Sequence, residues 1–564
     1  MSELFRAHND GLAITRIPPE ILCQIFLYYV SEQRHSHTVG RDWIYITHIC
    51  HHWRLVALDL ANLWTEIGSG PLEFNELLLS RSKQASLKLV VPYLEPPDII
   101  PKAFKEAHRL ETVDISSVFE YPPLPDSLFA PRLHSIALTH WGQATSLSPH
   151  FQNYDMPRLG RVKLAGYEIN WSSRLFCPTL TSLDISDVIV HPGLEETLYA
   201  LSKLPKLTFL SLNNIFPTDS RVKPVSADVD VALPLLEVLK LSCGPGVMAS
   251  FLSHVLLPAN VRLLLQTHTT SHRPVSGLAS ILSSHLVALQ ELENGKSLIC
   301  AGVNIVGNRM ELKSYIEEES TREEPIFEIA VVCRDGVDME DVMENLFGQF
   351  PLGAVRVFRM GCVPCFVNVL SAFQEFLNRM VDLKELHVDG SSITWLAYIL
   401  WYRPYDGVSV CSPSSRTIPL PHLQVLSIEE ATLPRAWGND SSYLHRHLAD
   451  AFLSRKGHSP CFTTLVLKNH HTHGDATKTK VLLHALVEMC GDQSTISCTS
   501  KDIGNSVVYT LHKCSHALER PLTATMNTRS RHRWCGFTSF GFNFPTFKLM
   551  LTAYVVSWVA KLVP

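Results

Sequence analysis

The chain has 564 residues, enough for several conventional domains or one long repeat array. Its hydrophobic content of 46% and charged content of 18% argue against a largely disordered protein. A formal net charge of −5 is small for this length and argues against a dedicated nucleic-acid binder. The fourteen cysteines form no short regular framework, and the opening MSELFRAHNDG has no apolar signal core. These features predict free thiols in a reducing compartment, cytoplasmic or nuclear, where the sequons at Asn170 and Asn439 carry no meaning.

The first elements are helical. Pro18 and Pro19 suit a helix start, where no backbone N–H partner is lost, and Glu20 suits the positive end of its dipole. Ile21, Leu22, Ile25, Phe26 and Tyr29 come next at helical spacing. Residues 31–40 are polar and read as a loop. Asp42 is placed to cap a second helix carrying Ile46, Ile49, Cys50 and Trp53, with Cys50 facing its core. Leu60, Leu63, Trp64 and Ile67 add a third short apolar element. So small a piece buries that much apolar surface poorly by itself, so part of it is expected to face the rest of the chain or a partner.

The string Ile17-Pro18-Pro19-Glu20-Ile21-Leu22-x-x-Ile25-Phe26 resembles the start of an F-box, with Ile17 where Leu is commoner. The runs Ile49-Cys50-His51-His52-Trp53-Arg54-x-x-Ala57 and Asn62-Leu63-Trp64-Thr65-x-Ile67 resemble its later parts, in the right order. The resemblance implies a three-helix module that docks on a Skp-type adaptor and through it on a cullin scaffold. Carried over residue by residue, the adaptor contacts are Ile17, Pro18, Ile21, Leu22, Ile25 and Phe26, with Ile49, Cys50 and Trp53.

Further along, a helix-like stretch lies near Phe74 to Leu79 and a Pro-rich turn at 92–101. Then one pattern recurs, a short apolar strand of the form Leu-x-x-Leu-x-Leu. It begins at Leu110, Leu133, Leu159, Leu180, Leu207 and Leu236, at intervals of 23, 26, 21, 27 and 29 residues. It returns at Val355, Leu383, Leu423 and Phe462. The final two apolar positions of each instance share one face of a strand, so they feed a common core. Helical stretches lie between the strands: Leu194 to Leu204, Met248 to Leu256, and Met339 to Phe347 after Asp338. Intervals of this length are those of leucine-rich repeats. Residues 266–350 break the count, with a helix from Leu278 to Leu289 and a strand at Ile326–Val332, and are read as divergent repeats.

The fold class is therefore α/β, an N-terminal three-helix F-box followed by an irregular leucine-rich-repeat solenoid, or horseshoe. Its parts are 14–67 as F-box, 68–105 as connection, 106–515 as repeats and 516–564 as a tail. That tail, apolar from Trp534 to Ala560 apart from Lys548, is broken by Gly536, Gly541 and Pro545. It reads as a buried cap or a poorly ordered end rather than a bilayer span.

No catalytic or metal site emerges, and no cofactor is expected. Gly295-Lys296-Ser297 lacks the earlier glycine of a phosphate loop, where Gln290 stands. Cys362 and Cys365 lack a second ligand pair, and His470, His471 and His473 lie in a polar stretch. The residues between the inward side chains of the repeat strands, namely Lys163, Asp184, Ser211, Lys240, Arg359, His387 and Ser427, form a candidate concave face for a protein substrate of unknown identity. The resemblance implies a non-catalytic receptor linking that substrate to a ubiquitin ligase. The competing reading is a leucine-rich scaffold unconnected to ubiquitination, its helices only a cap; a membrane-anchored variant rests on the tail alone.

Overall fold

A computed structural model describes residues 17–35, 41–93, 98–117, 127–141, 145–146, 153–217, 230–269, 276–292, 300–306, 308–315, 325–333, 339–361, 370–389, 420–429, 464–468, 496–503 and 506–513, with isolated positions between 396 and 453. The chain forms two compact units, one from residues up to 145 with 149–159, the other chiefly from 160 to 519. Both are mixed α/β, and the second is built on a large parallel sheet compatible with a repeat solenoid.

In the first unit, helix α1 spans Pro19–His35. The amides of Ile21 and Leu22 donate to the Pro18 carbonyl at 3.0 and 3.1 Å, closing the first turn behind the prolines. The helix continues through Ser31–His35, which the sequence assigns to a loop. The second predicted helix is split. A 3₁₀ helix covers Arg41–His48, and α2 begins only at His51 and ends at Asp59. Cys50 stands between them in extended backbone, its sulfur capping α2 by accepting from the Trp53 amide at 3.4 Å. Cys50 therefore does not face the core as expected, because capping takes its side chain along the helix end. Trp43, Ile46 and Ile49 recur every three residues, the period of the 3₁₀ turn, so one face still carries the apolar side chains.

These helices close over Leu22, Phe26, Val30, Ile46, Trp53, Ala57, Leu63 and Trp64, all buried. Phe26 packs on Trp53 with centroids 5.1 Å apart, and Trp43 meets Trp64 edge-on at 5.2 Å. The Trp64 indole donates to the Ala57 carbonyl at 2.8 Å. The chain then enters a four-stranded parallel sheet: β1 (Glu66–Ile67), β2 (Leu87–Val91), β3 (Leu110–Ser117) and β4 (Ser135–His140), paired in that order. Helices α3 (Leu72–Arg81) and α4 (Ile100–Lys105) lie between strands. The stretch 68–105 thus contributes β2 to the same sheet as β3.

In the second unit the Leu-x-x-Leu-x-Leu instances become β5 (Arg161–Ala165), β6 (Ser182–Ser186), β7 (Phe209–Asn213) and β8 (Val238–Cys243), with β9 (Arg262–Thr269) after them. Each pairs in parallel with the next. Two devices repeat. The amide of the first Leu of the pattern closes a three-residue turn, Leu180 onto Cys177, Leu207 onto Leu204 and Leu236 onto Leu233, at 3.0–3.3 Å. One carbonyl then receives two amides from the next repeat: Thr181 takes Thr208 and Phe209 at 2.8 and 3.1 Å, and Thr208 takes Glu237 and Val238 at the same distances. Helices α5 (Leu194–Leu201) and α6 (Pro245–Ser253) fill the return segments. The predicted stretch to Leu256 stops earlier, because Val255–Leu256 pairs as a short strand with Val231–Ala232.

After β9 come α7 (Ser276–Leu292), β10 (Cys300–Val306), β11 (Arg309–Tyr315) and β12 (Phe327–Cys333). Strand β12 pairs with β9 and continues the parallel series. The hairpin β10–β11 is inserted beside it, with β11 antiparallel to β12. The series resumes through β10 into β13 (Val357–Met360), β14 (Glu385–Asp389), β15 (Val425–Glu429) and β16 (Thr464–Lys468). The antiparallel pair β17 (Ile496–Ile503) and β18 (Ser506–Lys513) comes last, β18 lying against β16. Behind β12 to β14 sit α8 (Met339–Asn345) and α9 (Leu370–Asn378). There Phe347, Phe350, Phe358 and Phe376 form a chain of tilted and edge-on ring contacts 5.7–6.1 Å apart.

Candidate functional site

The N-terminal helices sort the predicted adaptor contacts into two groups. Pro18 and Ile21 are exposed, and Ile17, Ile49 and Cys50 are half-buried. Leu22, Ile25, Phe26 and Trp53 are buried, with Phe26 packed on Trp53. A helix needs one apolar stripe for its own core, and in the chain by itself these residues supply it. The outward stripe comprises Ile21, Leu27 and Tyr28 on α1, which are 37%, 36% and 42% exposed. Tyr45 and Leu55, on the next two elements, are also exposed. Sequence reasoning passed over Leu27, Tyr28, Tyr45 and Leu55. The available signal was that Ile21, Leu27 and Tyr28 are apolar although the helical period already fills the buried stripe with Leu22, Ile25, Phe26 and Val30. Cys23, half-buried on α1, has its thiol pKa raised by burial and then by the negative charge of Glu20.

The helical module is anchored to the first strands and helices of the adjoining sheet. Arg81 lies over the Trp64 ring, 4.4 Å from its centroid, and Lys83 reaches Asp59 at 2.7 Å. Asn75 is buried, accepting from the Gly68 amide at 2.7 Å and donating to the carbonyls of Ser69, Gly70 and Pro71 at 3.0–3.2 Å. Arg109, also buried, donates to Ser82 Oγ at 2.8 Å and pairs with Glu106 at 3.0 Å.

The second candidate surface is the outward face of the sheet in the second unit. Registration places its predicted residues in one row. Lys163 opposes Asp184, Asp184 opposes Ser211, and Ser211 opposes Lys240. The row continues through Leu264 and Glu328 to Lys313 and Gly302. It then reaches Arg359, His387 and Ser427. All seven predicted positions therefore share a face. Ser211 and Ser427 are nevertheless buried, since a short hydroxyl between longer neighbours is covered by them. The hairpin carries charges that satisfy one another. Arg309 reaches Glu311 at 2.6 Å, and Lys313 reaches Glu311 at 3.4 Å and Glu328 at 3.3 Å. Burial works to lower the Lys313 pKa, but the carboxylates of Glu328 and Glu311 outweigh it and the net shift is upward.

Among the described residues no group of three or more His, Cys, Asp or Glu side chains is arranged to hold a metal ion. Cys362, Cys365, His470, His471 and His473 lie outside the described residues, as does the tail from 516. Among the described residues, no helix is long and apolar enough to cross a membrane.

No family model matches the chain, and no curated protein matches it. Among solved structures it is similar to the leucine-rich repeat-containing protein LegL7 from Legionella pneumophila. The identity is 13% and the TM-score 0.22, over 66% of this chain and 93% of that one. A superposition at that score is too loose to place the chain in a fold family.

Proposed function

We propose that the chain is a non-catalytic substrate receptor of a cullin–RING ubiquitin ligase. The N-terminal helices act as an F-box that docks on a Skp-type adaptor, and the sheet of the second unit, read as leucine-rich repeats, holds a protein substrate. Such a receptor works by raising the effective concentration of substrate near the ubiquitin-charged enzyme. The observation that carries the reading is the outward stripe Ile21, Leu27 and Tyr28 on a helix whose other face is already sealed. Apolar side chains held out on a well-packed helix suit a partner's groove. The experiment is capture of the full chain by a purified Skp-type adaptor. Ile21→Glu with Tyr28→Glu is expected to abolish capture while the chain stays folded, its unfolding midpoint lowered far less than by Phe26→Ala. Failure of the folded wild-type chain to bind, or capture indifferent to the double substitution, sinks the proposal.

A second reading has its own support. The contacts of Arg81 with Trp64 and of Lys83 with Asp59 tie the helical module to the start of the sheet, as a terminal cap would be tied. On that reading the chain is a protein-binding scaffold unconnected to ubiquitination, and no adaptor binds.

A further inference from the structure

We infer that strands β5 to β8 hold an acidic, extended protein segment that carries an aliphatic side chain. The inference deepens the reading of this sheet as the substrate-holding face and is independent of adaptor docking. Arg161 and Lys163 stand out from β5 and Lys240 from β8, all three exposed on one face. Among the described residues none of the three has a carboxylate partner, in contrast to the hairpin, where Arg309 and Lys313 are both paired. Asp184 is the one acidic side chain of β5 to β8 on this face, so the patch is net positive in a chain whose net charge is −5. That local reversal of sign favours an anionic partner.

The patch also has an apolar centre. Phe209 and Val238 are direct cross-strand neighbours, both half-buried, on the same face as Lys240. The Lys240 ammonium lies over the Phe209 ring at 5.5 Å, so one face of the ring is covered, and Phe209 and Val238 are both partly exposed. This disfavours a nucleic acid, whose bases need a free aromatic plane. Neighbouring strands lie about 4.8 Å apart, so Lys163 and Lys240, three strands apart, are separated by about 14 Å. An extended segment covers that span in about four residues. The fitting ligand therefore places acidic residues about four apart, with an aliphatic residue close to the one at Lys240 that reaches the adjacent row at Phe209 and Val238.

The test is selection of a displayed random 12-residue peptide library on the full chain, then anisotropy titration of the recovered sequences. Enrichment of Asp and Glu flanking Leu, Ile or Val is expected. Lys163→Glu with Lys240→Glu should weaken the best peptide by at least about tenfold, since two attractive exposed pairs become repulsive. Both sites are exposed, and an unchanged unfolding midpoint confirms that the variant is folded. Recovery of no peptide, recovery without acidic enrichment, affinity indifferent to the double reversal, or tighter binding of a 12-nucleotide single strand overturns the inference. Adaptor capture, run in parallel, reads the ubiquitin-ligase proposal separately.

Discussion

Phe26→Ala and Ile21→Ala, one turn and a little more apart on α1, separate core from surface. Phe26 is 1% exposed and its ring sits 5.1 Å from that of Trp53, whereas Ile21 is 37% exposed. Truncating a buried Phe costs about 3–5 kcal/mol, including the cavity left behind. Truncating a partly exposed Ile costs roughly 1 kcal/mol, of which the better helix propensity of Ala returns a few tenths. Hydrogen exchange read by mass spectrometry on peptides covering α1 and α2 isolates the opening of this module from the rest of the chain. Protection there is expected to fall by about 10²–10³-fold or more in Phe26→Ala and by under about tenfold in Ile21→Ala, at 1.4 kcal/mol per decade. Equal protection in the two variants would refute the packing argument. Phe26 would then be a surface residue, as the family resemblance taken at face value implies.

Asn75→Ala should destabilise the first unit by about 2–4 kcal/mol, because it strips partners from one buried amide and three carbonyls; a urea titration checks it. Gly68→Ala should be worse tolerated still. Gly68 has φ +121° and an added Cβ would lie 2.2 Å from the Val90 carbonyl oxygen, so loss of soluble, protease-resistant protein is expected. Burial, opposed by a backbone hydrogen bond with Val261, holds the His285 imidazole below its ordinary 6.5. Above that pH both folded and unfolded states are neutral and the group contributes nothing. As the pH falls below it, the unfolded chain takes up the proton first, so stability declines on the acid side. The midpoint of His285→Gln measured from pH 7.5 to pH 5 should fall less steeply than wild type.

The strands were legible because the apolar offset pattern is a direct image of strand geometry. All of its instances, from Leu110 to Phe462, lie in or lead into strands. What escaped was structure whose signal is not local. Strand β9 alternates cleanly from Leu263 to Thr267 but lacks the leading Leu, so the pattern passes over it. The β10–β11 hairpin has the alternation Met310, Leu312 and Ser314 inward, yet its place beside β12 is a tertiary choice that periodicity does not encode. On α1 the family motif and the helical period pointed to overlapping residues, and the motif does not say which of them a core will claim. Burial separates them: Leu22 and Phe26 inward, Ile21 and Tyr28 outward. The split at Cys50 was hidden because a 3₁₀ period of three and an α period of 3.6 both satisfy the spacing from Ile46 to Ile49.

Capping and docking are not competing uses of the same side chains. The inward residues of the helical module, Trp64 above all, run into the sheet: Ile67 of β1 stands three residues beyond Trp64, whose ring lies under Arg81 of α3. The outward residues Ile21 and Tyr28 flank the buried stripe of α1, 37% and 42% exposed. A cap alone is served equally well by Glu or Lys at those positions, which solvate freely and favour helix as strongly. The exposed part of Ile21, Leu27 and Tyr28 is what the proposed docking would cover. Substitution of Ile21 and Tyr28 by Lys should therefore cost no more than about 1–2 kcal/mol, well short of the cost of Phe26→Ala. If instead the Lys variant of Ile21 and Tyr28 unfolds at markedly lower urea, the stripe belongs to the fold and the docking argument loses its premise.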